Sequence, residues 1–227
     1  MPEAALDPLR NHRRAMLYAF LLLAATVLLF VAVGKHPGEP GTVTTWPPIG
    51  RLDGNVYRAV QSHRNTLAVD VAKIMNLLGG GLVTIPLRSV VAIYLAARRR
   101  WGAFATWMLT WAAAETALSL AKAWFARSRP PAPLVLTSGF SFPSGHAVAA
   151  ASIAVALVLV AMAAGPRRRK WEAVAATAAF LMALSRVYLN AHWLSDVVAG
   201  VLLGTGVALG AAALVAEIRH LAARRRG

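Results

Sequence analysis

Long apolar runs, each flanked by charge, constrain this chain more than any other feature it carries. A helix needs about 20 apolar residues to cross the hydrocarbon of a bilayer. Six stretches are read as crossings. They run over about Met16 to Val33, a stretch ending at Ala97, Trp101 to Ala121, Ser144 to Ala164, Trp171 to Tyr188, and Trp193 to Ala216. Hydrophobic residues make up 58% of the chain and charged ones only 15%, against about a quarter charged in a soluble domain. The expected fold is all-α: a polytopic membrane protein with six transmembrane helices, forming one domain over residues 1–227. A polar, Pro/Gly-rich stretch from Lys35 to Arg51 follows the first crossing. From Leu52 to Met75, Asp53, Arg58, Arg64, Asp70 and Lys73 stand among apolar residues at helical spacing. That pattern predicts an amphipathic helix at the interface, before the second crossing. The Gly79-Gly80-Gly81 run is placed to bend the chain into that crossing. The first segment has the basic start of a signal peptide, but its apolar run exceeds the usual signal core, so it is read as a crossing.

The net charge of +15 invites a nucleic-acid reading, but its distribution argues against one. Fourteen of the 24 basic residues fall in four blocks: Arg10, Arg13 and Arg14; Arg98 to Arg100; Arg167 to Lys170; and Arg219 with Arg224 to Arg226. Each abuts an apolar run, as topology-setting charge does. Six crossings place all four blocks on one side, which the positive-inside rule makes the cytoplasm, with both termini there. Nucleic acid is excluded as a partner on this pattern. The chain has no cysteine, so disulfides and thiolate metal sites are ruled out.

Three polar clusters fall on the opposite side, in the connections after the third and fifth crossings. Lys122 and Arg129-Pro130 come first, with Arg127 between them. Arg matches a phosphate with a planar fork, and Lys adds a point charge. Pro143-Ser144-Gly145-His146 opens the fourth crossing with good helix starters. Free amides at such an N-terminus bind anions, which sets His146 beside a bound phosphate. Ser185-Arg186 then precedes His192 and Asp196. Those last two are four apart, so they share a helix face if the helix starts early enough. The carboxylate can then fix one ring nitrogen and leave the other free to attack. Singly, the clusters also read as snorkelling cations, an N-cap beside an interfacial histidine, and a capping Asp. Their coincidence on one membrane face favours chemistry.

The spacing Lys122, six residues, Arg129-Pro130, then Pro143-Ser144-Gly145-His146, then Ser185-Arg186, five residues, His192, three residues, Asp196 resembles the three motifs of the type-2 phosphatidic acid phosphatase superfamily. These are integral membrane lipid phosphatases related to vanadium haloperoxidases. The resemblance implies a membrane lipid phosphatase. In it, His192 is the nucleophile and forms a phosphohistidine, Asp196 orients it, and His146 protonates the leaving oxygen. Lys122, Arg129, Ser144, the Gly145 amide and Arg186 hold the phosphoryl oxygens. It implies no metal and no other cofactor, with fixed cations standing where a metal would. The substrate would be a lipid phosphate or diphosphate of the outer leaflet: polyprenyl diphosphate, phosphatidylglycerophosphate or phosphatidic acid. A short chain with an outward site suits recycling of a polyprenyl diphosphate carrier, by family analogy alone. The alanine- and arginine-rich composition fits a bacterial gene, hence a bacterial inner membrane with the site facing the periplasm or exterior. A non-catalytic lipid-phosphate binder or transporter on the same fold is the alternative. Both histidines and Asp196 favour catalysis over it. Haloperoxidase chemistry fits the membrane burial poorly.

Two charges lie within the crossings. Arg88 stands ten residues before Arg98, and Glu115 fourteen after Trp101. At about 1.5 Å per residue, their depths in an antiparallel pair differ by about 6 Å. This predicts an ion pair between the second and third crossings; a contact from Glu115 to Lys122, seven residues on, is the rival. Gly200 and Gly204 continue the His192–Asp196 face at four-residue steps, with Gly206 and Gly210 nearby, and predict close helix packing. Trp124 and Trp193 are read as interfacial anchors.

Overall fold

The computed structural model describes residues 8–34 and 46–225. Among these, every regular element is a helix: α1 (Pro8–Val33), α2 (Pro47–Ser62), α3 (Thr66–Gly79), α4 (Gly81–Ala97), α5 (Trp101–Phe125), α6 (Gly145–Ala161), α7 (Pro166–Tyr188) and α8 (Leu194–Arg224). The central element is α8, which packs against α1, α2, α5, α6 and α7. A helix lies at each of the six expected crossings. By length and apolarity alone, two are long enough to span a membrane, Arg14–Val33 and Leu194–Arg224. A third is added if α3 and α4, bent by 44° at their junction, form one broken span. The bend falls at Gly80, within the glycine run expected to make it.

The segment expected to be one amphipathic helix from Leu52 to Met75 is two. It breaks between Ser62 and Thr66, where Asn65 caps α3 by accepting from the Ala68 amide at 2.9 Å. The Asn65 amide in turn donates to the Tyr188 hydroxyl of α7 at 3.0 Å, which fixes the break. An Asn with a free side chain before a helical run is a strong N-cap, and here it outweighs continuous periodicity. Part of the Pro/Gly-rich stretch, residues 35–45, lies outside the described residues.

Arg88 and Glu115 are hydrogen-bonded as an ion pair joining α4 to α5. Arg88 is buried, and it also reaches the Ser152 hydroxyl of α6 at 3.4 Å and lies 5.5 Å from the ring centre of Trp111. A buried guanidinium is tolerated because its charge is paired and its donors are used.

The glycine face of α8 presses directly on α6. A methyl at Gly204 would come within 2.5 Å of the Val148 carbonyl oxygen and 3.0 Å of the Ala151 Cβ; one at Gly200 would meet the Ser144 carbonyl oxygen at 2.8 Å. These contacts involve backbone, which cannot rotate away. At Gly210, which faces α1, the nearest atom is the Ala19 Cβ at 3.9 Å. We therefore expect Gly204→Ala to lower stability by about 1–3 kcal/mol through overpacking. Gly210→Ala should be neutral or slightly stabilising, because Ala favours helix. Thermal unfolding of the two purified variants in one detergent checks the contrast; equal midpoints would contradict it.

Candidate active site

The three clusters meet where α5 ends and α6 and α8 begin. Helix α5 stops at Phe125, earlier than a path running to Pro130. Its C-cap, Ala126, adopts the left-handed conformation with φ of 44°. The chain reverses there, so that Arg127 is buried while Arg129, two residues on, stays half exposed. The returning loop is anchored by Phe142, fully buried between Phe30 of α1 and Phe125 of α5, each ring centre 5.0 Å away. This anchor sets Ser141 and Ser144 beside the start of α8. The Ser141 hydroxyl donates to Asp196, and the Ser144 amide donates to the Asp196 carbonyl at 3.0 Å.

His192 lies in the connection before α8, not on its face. Trp193 is the N-cap, and Asp196 sits in the first turn and curls back. One of its oxygens, Oδ2, takes the Trp193 amide at 2.9 Å, the Ser141 hydroxyl, and His192 Nδ1 at 3.4 Å. The i,i+4 spacing thus brings the pair together through cap geometry rather than a shared helical stripe. The other His192 nitrogen, Nε2, lies 3.1 Å from Nη1 of Arg129. A guanidinium only donates, so Nε2 accepts and the ring proton rests on Nδ1, facing Asp196. His192 is 3% exposed. Burial, with the charges of Arg129 and Arg186 adding to it, lowers its pKa to about 4 despite the Asp196 hydrogen bond, which acts the other way. At neutral pH the ring is uncharged, with its lone pair on Nε2.

Arg129 and Arg186 act on this ring, and Lys122 stands with Arg129 on the Phe140 carbonyl. Lys122 donates to the Phe140 carbonyl. Arg129 donates to the carbonyls of Ser138 at 2.8 Å, Gly139 at 3.1 Å, Phe140 at 3.3 Å and Ala191 at 2.7 Å. Arg186, on the last turn of α7, donates to the Asn76 side chain, and His146 Nε2 lies 3.1 Å from the Asn76 carbonyl oxygen. The glycine bend of α3–α4 is what lets α3 come so close. A methyl at Gly79 would lie 2.8 Å from the His146 ring and 2.6 Å from Met182. Ser144 is fully buried, and its hydroxyl caps α6 by accepting from the Ala147 amide at 3.5 Å. Gly145, the first residue of α6, is half buried against Leu118. Among the described residues, no three His, Cys, Asp or Glu side chains gather into a set that could hold a metal ion.

Several neighbours of the site were not expected. Arg127 donates to Asp196 Oδ1 at 2.6 Å, to the Ser195 hydroxyl at 2.7 Å and to Asp53 of α2 at 2.8 Å. Its sequence signal was lost in the run of cations before Pro130. Asp53 counted as part of a polar helix face, yet it is 3% exposed and sits under α8. The only hint was the scarcity of acids, nine in the chain. Asn76 carries no sequence signal. Trp193 has its indole nitrogen on the Ser128 carbonyl at 3.0 Å and its ring 5.7 Å from the Arg127 guanidinium, so it braces this network.

The chain is similar to known proteins. Phosphatidylglycerophosphatase B of Bacillus subtilis (strain 168) is 40% identical over 88 residues, covering 37% of this chain and 43% of that protein, less than half of the relative's length. The fold superposes on the crystal structure of the first transmembrane PAP2 type phosphatidylglycerolphosphate phosphatase from Bacillus subtilis with a TM-score of 0.73, at 24% identity, over 89% of this chain and 96% of that one. It also resembles Aquifex aeolicus LpxE, with a TM-score of 0.56 at 24% identity, over 69% of this chain and 92% of that one. These two likenesses concern the fold, which is that of a membrane protein. The family model of the PAP2 superfamily matches residues 104–219, just over half of the chain and all three clusters, and the chain belongs to that superfamily.

Proposed function

We propose that this protein is a lipid phosphatase of a bacterial membrane, working through a phosphohistidine on His192. The observation that carries the reading is the placement of buried His192, with Nδ1 3.4 Å from Asp196 and Nε2 3.1 Å from Arg129. The Nε2 lone pair attacks phosphorus, and the bond to the lipid oxygen breaks. His146, entering this step as the imidazolium, gives that oxygen a proton and is left neutral. The phosphorylated ring keeps its Nδ1 proton, and its positive charge is matched by Asp196. Water then attacks phosphorus, His146 takes a proton from it, and the N–P bond returns its electrons to Nε2. Lys122, Arg129 and Arg186 hold the phosphoryl oxygens and offset charge growing in the transition state, with no metal required. The Gly145 amide adds a donor, and Ser144 starts the helix that presents it.

The relative named a phosphatidylglycerophosphatase makes phosphatidylglycerophosphate the first substrate to test, ahead of phosphatidic acid and polyprenyl diphosphate. Six crossings with cytoplasmic termini would put the site on the outer face, where such a lipid enters from the outer leaflet.

Phosphate release by purified protein should fall by about a thousandfold or more in His192→Ala, and by about a hundred- to ten-thousandfold in His146→Ala. Tight lipid binding with no release by the wild type would instead indicate a non-catalytic binder. The pH dependence carries a sign. Because the His192 pKa is lowered, the reactive neutral form persists as pH falls, and is lost only near about 4. The acid limb of kcat/KM attributable to His192 should lie there, and not near the ordinary histidine value of about 6.5. The topology is testable without background, because the chain has no cysteine. A single cysteine at Ser138 should react with an impermeant maleimide in intact cells, and one at Arg168 should react only after lysis. The reverse pattern would invert the orientation.

A further inference from the structure

We infer that Asp53 is a positioning residue for the His192–Asp196 pair, and that it acts by holding the charge of Arg127. This rests on the phosphatase reading above and deepens it. Asp53, Arg127 and Asp196 are all buried. Arg127 stands between the two carboxylates, 2.8 Å from Asp53 Oδ2 and 2.6 Å from Asp196 Oδ1. One cation shared by two carboxylates leaves one negative charge over. When His192 is phosphorylated its ring becomes cationic, and that remaining charge is what meets it. Without Asp53, Arg127 would belong to Asp196 alone. The carboxylate would then be neutralised before the imidazolium forms, with the charges of Arg129 and Arg186 still acting on the ring.

Asp53 also fixes where this happens. It accepts the Ser195 amide at 2.9 Å and the Ser195 hydroxyl at 2.6 Å, in the first turn of α8, next to Asp196. Helix α2 thereby supplies both the counter-charge and a clamp on the turn that carries the orienting carboxylate. Neither contact reaches the substrate, so Asp53 works through Arg127 and α8.

The test is a cycle of Asp53→Asn, Arg127→Gln and the double variant, with Asp53→Glu as the charge-keeping control. Two readouts are taken: phosphate release from phosphatidylglycerophosphate in mixed micelles, and the rate at which diethyl pyrocarbonate carbethoxylates His192, followed by peptide mass spectrometry. Asp53→Asn should lower kcat by about ten- to a hundredfold with KM nearly unchanged, and slow His192 modification in parallel. Removing Arg127 as well should recover at least about fivefold of both, because the excess cation is gone. Asp53→Glu should stay within about threefold of wild type even where it lowers the unfolding midpoint. A merely structural Asp53 would instead make the double variant no better than the single, and would tie rate to stability across the set. Should Asp53→Asn fail to fold, the double variant still decides: it leaves the same single negative charge on Asp196 as the wild type, and if it folds but neither hydrolyses lipid nor exposes a reactive His192, the inference is wrong. Wild-type kcat and modification rate in Asp53→Asn would overturn it as well. If the wild type releases no phosphate at all, the phosphatase reading fails, and the modification rates still decide the role of Asp53.

Discussion

A carboxylate removed from water must be given back as many donors as it loses, or it will not stay charged. Asp196 has no exposed surface, and its donors come from Ser141 before α6, from His192 and the Trp193 amide before α8, and from Arg127 after α5. Segments spread over some seventy positions are thereby tied to one pair of oxygens. The loop that carries Arg129, and the one that carries His192, converge because each also delivers a donor to this buried charge. The arrangement of the site follows from the need to satisfy Asp196.

The glycines of α8 belong to the same device. Asp196 and Gly200 are one turn apart, and at Gly200 even a methyl would strike the Ser144 carbonyl. The helices must approach this closely for the Ser144 amide to reach the Asp196 backbone at 3.0 Å. Gly204 repeats the approach one turn deeper against Val148. Small residues that serve packing further along α8 shape the candidate site at its start, where they hold the α6 N-terminus and His146 against the turn that follows His192.

What could be read from the residues was whatever depends on local spacing. The order of the three clusters, the bend at the glycine run, the closeness of the α8 glycine face and the Arg88–Glu115 pair all follow from counting along helices. Asp53 could not be read that way. Its partner amide on Ser195 is 142 positions distant, and on α2 alone its spacing fits a wetted helix face. Arg127 was hidden for a different reason. One left-handed residue, Ala126, separates its direction from that of Lys122, and no periodicity foretells such a turn. The break at Asn65 was missed because helical periodicity continues across it, while a single cap and the Tyr188 hydroxyl decide the matter.

The partners of the four cations near His192 divide them in two. Arg127 is matched by carboxylates, so its charge is spent inside the fold. Lys122, Arg129 and Arg186 are held by neutral oxygens: backbone carbonyls of the 138–140 turn and Ala191, and the Asn76 amide. A carbonyl dipole orients a guanidinium or ammonium without cancelling its charge, and an anionic phosphoryl oxygen makes a shorter and stronger hydrogen bond than a carbonyl does. The three cations are thus aimed in advance with their charge still on offer, which is the condition for electrostatic stabilisation that costs little reorganisation at the moment of reaction. The same rule explains why Arg127, though closer to Asp196 than any other cation, is the wrong group to bind substrate. A lipid phosphate reaching it would have to displace two buried carboxylates. On the proposed reading, charge that the fold has already used holds His192 and Asp196 in place, and charge that it has left unpaired by any carboxylate is what a phosphate would meet.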